Sequence, residues 1–256
     1  MDKDIFTGIT WNTRTVLKAI GAAIILAITV LSFFEDLFGV YLTVSPSLGF
    51  SKPSTAIVRI PTIAADIARG ETRKLPFGGF TWRVLDLQDD RALVITEGVI
   101  EPRPYHDKEA RVTWETCALR AYLNGKFLEK FSEQELAVIR ETLNVNADNQ
   151  WFGTYGGRDT TDMVFLLSLE EVVKYFGDSG QLENKNPDWP NWIDDEYNKE
   201  RVATINTHTY TWWLRSPGDS ASSAVLVFPR GEILVSGEDI RVDSGVRPAL
   251  WLNLSE

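Results

Sequence analysis

The carboxylates able to do chemistry gather in one irregular stretch, residues 177–207, which carries Asp178, Asp188, Asp194, Asp195 and Glu196. Oxygens converging from such a loop could ligate calcium, which needs several hard donors. Paired across a cleft, the same groups could act as acid and base on a glycosidic bond. A third reading is local, since Asp194, Asp195 and Glu196 stand at what reads as a helix start, where acids complement the dipole. The D-x-[DN]-x-[DN]-G calcium pattern is absent. Nucleophiles are scarce: Cys117 is the one cysteine, and His106 and His208 are the two histidines. Cys117 lies in WETCALRAYL, a helical segment with Trp114, Leu119 and Tyr122, and reads as a packed thiol rather than a nucleophile. GxSxG, HExxH, Walker and GxGxxG patterns are all missing, so no catalytic residue is assigned. Gly153, Gly156 and Gly157 in WFGTYGGRD read as an irregular loop.

Aromatic side chains offer a different chemistry. Eight of the nine tryptophans follow residue 74. Those on predicted strands or helices, Trp82, Trp114, Trp212, Trp213 and Trp251, suit a core. Trp151, Tyr155, Trp189 and Trp192 sit instead in irregular segments among Asn, Asp and Arg158. Flat rings with polar neighbours make a saccharide or peptide face, although Trp189 and Trp192 could equally form the small core that holds the long loop down. Arg215 and Arg247 each stand in a strand-like run beside Trp, Leu or Pro, and a structural ion pair to an acid such as Asp86 or Glu97 is expected.

These groups need a scaffold, and the pattern supplies an α+β one. Phe80, Trp82, Val84 and Leu85 open two strands that meet at Gln88, Asp89 and Asp90. Thr113 is a plausible N-cap for a helix beginning near Trp114. Capping boxes formed by Ser132 with Glu135, and by Ser168 with Glu171, start the helices EQELAVIRETL and LEEVVKYF, and Gly177 ends the latter. MVFLLS reads as a short buried strand. YTWWLRS, SAVLVFP, EILVSG and VRPALWLNL form the closing strands, with a turn at Arg230 and Gly231. Strands, then helices, then a long loop, then strands predict a domain whose first and last strands share one antiparallel sheet.

The 256-residue composition is globular, with 44% hydrophobic and 24% charged residues and a formal charge of −10. A surface that acidic repels phosphate backbones, so nucleic acid is not an expected partner. A single cysteine excludes an intrachain disulfide framework and any CxxC metal or redox site. The averages conceal a break, because residues 16–34 read VLKAIGAAIILAITVLSFF with Lys18 as the only charge. Nineteen helical residues span about 28 Å, close to a bilayer core of about 30 Å. Lys3, Arg14 and Lys18 against Glu35 and Asp36 place the N-terminus, residues 1–15, in the cytoplasm and the rest outside. A signal peptide cleaved near Ser45 or Ser47 is the rival reading. Without the three basic and two acidic residues of the first 34, the remainder holds 23 basic and 34 acidic residues, a formal −11. Residues 35–74, broken by Pro46, Pro53 and Pro61, read as a membrane-proximal stalk, and the folded domain is expected over residues 75–256.

The segments FGGFTWRVLD, VTWETCALRAYLN, DTTDMVFLLSLEEVVKYFG, WWLRSPG and GVRPALWLNL closely resemble an uncharacterised bacterial domain family common in gut Firmicutes, itself similar to the C-type-lectin fold. Its signature falls on Trp212, Trp213, Arg215, Gly245, Arg247 and Pro248. That fold is shared with formylglycine-generating enzymes and with variable ligand-binding proteins diversified by retroelements, and in the latter the displayed residues match positions 216–244. The resemblance implies a fold and a habit of binding, not a reaction. Formylglycine-generating chemistry needs a cysteine pair, which Cys117 alone cannot supply. The expectation is a single-pass protein of the bacterial cell membrane, with an extracytoplasmic C-type-lectin-like domain binding a carbohydrate, peptidoglycan or protein ligand without catalysis. No cofactor beyond a calcium ion is foreseen. A glycan-acting enzyme using loop carboxylates and a structural subunit of an envelope assembly are the alternatives.

Overall fold

The structure, a computed structural model, describes residues 74–188 and 190–254. The expected membrane helix at 16–34, most of the stalk, and Trp189 lie outside the described residues. Among those residues no helix is long and apolar enough to cross a membrane.

Strand β1 (Lys74–Phe77) turns back into β2 (Phe80–Gln88) through Gly78 and Gly79, whose φ values of 57° and 77° suit a two-residue turn matched to strand twist. A Cβ on Gly78 would lie 2.1 Å from the Phe131 ring, so space as well as conformation requires glycine. The next turn, at Asp89 and Asp90, joins β2 to β3 (Arg91–Thr96), as the polar break in the pattern suggests. β3 then pairs with the last strand, β15 (Ala249–Asn253), antiparallel with Leu250 opposite Val94. First and last strands thus share one five-stranded sheet, in the order β1-β2-β3-β15-β5, with β5 (Ile139–Arg140) at the edge.

A second sheet has six strands, ordered β4-β14-β11-β12-β13-β8. It comprises β4 (Glu101–Arg103), β8 (Trp192–Ile193), β11 (Trp212–Pro217), β12 (Ser223–Val227), β13 (Ile233–Asp239) and β14 (Ser244–Val246). Only the β11–β14 pair is parallel among them. Two short pairs complete the strands: β6 (Thr142–Asn144) with β7 (Thr160–Asp162), and β9 (Ala203–Ile205) with β10 (His208–Tyr210). Four α-helices are described, α1 (Ala118–Leu123), α2 (Glu133–Leu136), α3 (Leu169–Phe176) and α4 (Asn198–Arg201). In α3 the buried residues Leu169, Val172, Val173 and Phe176 fall at helical spacing on one face, each burial contributing about 1.5–3 kcal/mol. One continuous core takes side chains from both sheets and from α3.

Three expectations about elements are corrected. The segment from Trp114 begins as a 3-10 turn, and α1 starts only after Cys117, whose Sγ accepts from Arg120 N at 3.3 Å as the N-cap. The capping box at Ser132 is present, but α2 lasts one turn, because Ile139 leaves the helix to pair with Leu252 on β15. Sheet-edge pairing of a β-branched residue outweighs a local helix signal there. MVFLLS is extended and buried, yet joins a ladder only through the bridge Phe165 to Ala249. Side chains replace the missing strand: Asn124 Oδ1 accepts from Met163 N at 2.9 Å and Val164 N at 3.2 Å, and its Nδ2 donates to Val164 O at 2.8 Å.

Candidate functional site

Trp212, Trp213, Arg215, Gly245, Arg247 and Pro248 occupy structural positions. Trp212 and Trp213 are fully buried, and their indole N–H groups donate to Arg201 O at 3.0 Å and Arg103 O at 2.9 Å. Arg215 was expected to meet Asp86 or Glu97, but its carboxylate partner is Glu171, the N3 residue of α3. The same guanidinium donates to Leu166 O at 2.8 Å and Val145 O at 3.3 Å. Arg247 is fully buried and meets Thr96 O at 2.8 Å and the backbone oxygen of Glu97 at 3.2 Å, not a carboxylate. The Glu97 carboxylate is taken by Arg83, at 2.9 and 2.8 Å. Burial, with Arg83 nearby, pushes Arg247 down to about 9, and its charge rests over the Trp212 ring, 4.9 Å from the centroid. At Gly245 a Cβ would stand 2.3 Å from Thr211 O, and Pro248 O accepts from Thr96 N at 2.9 Å. The thiol of Cys117 is raised to about 12 by burial.

The candidate ligand residues separate. Trp151 is half-buried, and its indole donates to Leu182 O at 2.8 Å, pinning the long loop. Arg158 is exposed and pairs with Glu115 at 2.7 Å. Asp195 is committed internally: the fully buried Arg201 pairs with it, and it accepts from Ser179 Oγ at 2.7 Å and Tyr197 N at 2.9 Å. Asp194 accepts from Asn198 Nδ2 at 2.6 Å, and Glu196 is exposed. Among the described residues no group of three or more His, Cys, Asp or Glu side chains is arranged to hold a metal ion.

Tyr155 and Trp192 line two different clefts. The larger, roughly 620 Å³, is lined by Arg111, Thr113, Phe152, Tyr155, Asp219 and Ser220 together with the backbone between them. Tyr155 is 62% exposed there, an unusual position for a ring in a folded domain. The walls of this cleft are fastened by hydrogen bonds, those of Asn149 to the second sheet being buried. Asn149, only 1% exposed, donates through Nδ2 to Pro217 O at 2.8 Å and Val235 O at 2.9 Å, and its Oδ1 accepts from Trp151 N at 3.0 Å. Asn149 N also donates to Thr154 O at 2.9 Å, closing the loop below Tyr155. Opposite, Val112 N donates to Ala221 O at 2.9 Å, and Ser223 Oγ donates to Asp219 Oδ1 at 2.9 Å. Asn149 and Arg111 escaped the sequence reading, since a lone Asn before QWFG looks like ordinary loop composition, whereas Asp219 and Ser220 fall within the stretch 216–244 that the resemblance singled out. The second cleft, roughly 310 Å³, is lined by Trp192, Asp194, Phe228, Pro229, Arg230 and Glu232.

Compared with known proteins, residues 89–254 match a family described as a domain of unknown function, DUF6273. No curated protein and no solved structure matches the chain.

Proposed function

The chain belongs to the DUF6273 family, and from that premise we propose that its domain is a ligand-binding module whose site is the Tyr155 cleft and whose ligand is a saccharide. The observation that carries this reading is an exposed aromatic ring in an open cleft whose walls are already fastened. A sugar ring stacks its C–H face on a flat aromatic surface while its hydroxyls need donors and acceptors at the rim. Arg111 supplies donors, Asp219 acceptors, and Ser220 both. A preformed wall lowers the ordering cost of binding.

The finer fold is part of the proposal. Paired terminal strands, a mixed second sheet and the long segment between α3 and β9 support a C-type-lectin-like domain. The apolar run at 16–34 supports anchorage in a bacterial cell membrane with the domain outside. A cell-wall glycan is then the ligand within reach.

The test is a glycan array and a peptidoglycan pulldown with the full chain, Tyr155→Ala and Tyr155→Phe. Loss of stacking weakens binding about tenfold in the alanine variant, while the phenylalanine variant retains it. Equal binding by parent and Tyr155→Ala overturns the assignment.

A further inference from the structure

The smaller cleft has a chemistry of its own. It lies where the tip of the β12–β13 hairpin meets β8, whose Trp192 stands opposite Leu234 in the ladder. The hairpin tip is held by Phe228 N donating to Glu232 O at 2.8 Å and Gly231 N donating to Phe228 O at 2.9 Å. Gly231 takes a φ of 97°, and a Cβ there would lie 1.9 Å from Asn198 O, so the tip cannot shift without moving α4. Trp192 and Phe228 pack edge to face with centroids 4.7 Å apart, making an apolar wall. Against that wall stands the carboxylate of Glu232, whose side chain is only 10% exposed. One oxygen meets Arg230 Nη2 at 2.6 Å. The other, Oε2, is covered and accepts no hydrogen bond among the described residues.

A covered carboxylate oxygen without a donor is costly, and it is retained where something else satisfies it. The neighbouring cation is poorly suited to that task. Arg230 is 87% exposed, so its side chain stands largely in solvent, and a water-exposed arm of this kind is easily displaced. Asp194 adds a second carboxylate to the lining.

We propose that this cleft is a binding site for a lysine-type alkylammonium group, with Arg230 as its displaceable plug. The methylene stem lies along Trp192 and Phe228, the ammonium donates to both oxygens of Glu232, and the aromatic faces add cation–π attraction. An ammonium, with three rotatable donors on a narrow stem, can serve an oxygen that the broad guanidinium leaves unpaired. The site stands apart from the Tyr155 cleft, with which it shares no lining residue.

The experiment titrates the full-length chain with Nα-acetyl-lysine amide and with Nα-acetyl-norleucine amide, which is apolar at the same length but lacks the ammonium, following the Trp192 indole N–H resonance. The lysine probe shifts that resonance in a saturable way and the norleucine probe binds at least tenfold more weakly. Glu232→Gln lowers affinity about tenfold, and Arg230→Ala raises it several-fold because plug and ligand compete for one carboxylate. Tyr155→Ala leaves the titration unchanged, so failure of the saccharide site would not be mistaken for failure here. Equal binding of both probes, an unshifted Trp192 resonance, or weaker binding in Arg230→Ala overturns the proposal.

Discussion

Replacing Arg215 with methionine removes a charge and four hydrogen bonds while keeping most of the side-chain bulk. In the native domain the guanidinium, 3% exposed, joins three pieces of chain: the Glu171 carboxylate in the first turn of α3, Leu166 O in the segment before it, and Val145 O beyond β6. Breaking a buried pair by removing one partner costs about 3–5 kcal/mol. Glu171 is 28% exposed and retains the N–H of Ser168 at 2.9 Å, so water relieves part of its loss. The expected cost of Arg215→Met is therefore at the lower end, about 3 kcal/mol, or a melting shift of about 6–12 °C for a domain of this size. Glu171→Gln keeps the capping geometry but loses the charge, and costs about 2 kcal/mol. With both changes no unpaired charge remains, and the double variant should fall at least about 1 kcal/mol short of the sum. Urea denaturation of the four proteins, with equal slopes required, measures the cycle. A cost below about 1 kcal/mol for Arg215→Met, or strict additivity, would refute the reading of this arginine as a structural tie.

Two further outcomes follow from other charged groups. Glu97 is held at about 2, below its ordinary 4.5, chiefly by its hydrogen bonds to Arg83, with Lys74 at 3.2 Å adding to the effect. Because the folded value is the lower one, its stabilisation is present above pH 4.5 and is lost as pH falls toward 2. After screening by solvent this amounts to about 1 kcal/mol, a little over half of which is lost by pH 3, and the fall in unfolding free energy between pH 7 and pH 3 should be smaller by that part in Glu97→Gln, as measured by urea denaturation. Asp162 has a fully buried side chain that accepts from Trp114 Nε1 at 3.0 Å, Arg120 Nε at 2.6 Å, Asn144 Nδ2 at 3.0 Å and Thr160 Oγ1 at 2.7 Å. Asp162→Asn sets an amide donor against these donors and should cost about 3 kcal/mol by thermal or urea unfolding; a shift under about 1 kcal/mol would show that the network reorganises.

Where the sequence was legible, local rules and burial agreed. Ser168 with Glu171 and Ser132 with Glu135 form the reciprocal caps their spacing demands. The alternation around Trp82 and the Asp89-Asp90 break produce the hairpin, and the apolar closing strand finds the sheet. Where a distant partner decided, local reading failed. Ile139 leaves its helix for β15, and the buried run at 163–168 is served by Asn124 and Arg215 in place of a neighbouring strand. The aromatic set suffered in the same way. Trp151, Tyr155 and Trp192 share irregular surroundings in sequence, but one is a loop pin and the others face separate clefts. Composition identifies residues able to bind; long-range contacts, of Trp151 with Leu182 and of Trp192 with Phe228, separate them from the exposed Tyr155.

The most specific sequence features and the candidate site are therefore different sets of residues. Trp212, Trp213, Arg215, Gly245 and Arg247 are buried, and each polar group they carry is directed to backbone or to a capping carboxylate, save the orphaned Arg215 Nε and Arg247 Nη1. A charge as costly to bury as that of Arg247, lowered to about 9 and lying over Trp212, is tolerated because the two carbonyls it holds belong to the end of β3 and the residue beyond. Such a residue cannot vary with the ligand without loosening the sheet. Surface segments can. Tyr155, Asp219, Ser220 and Arg230 have exposed side chains outside the core cluster. Trp212, Trp213, Arg215, Gly245 and Arg247 thus belong to the scaffold, and under the proposed ligand-binding function the preference for a ligand would reside in exposed side chains that the scaffold holds in place.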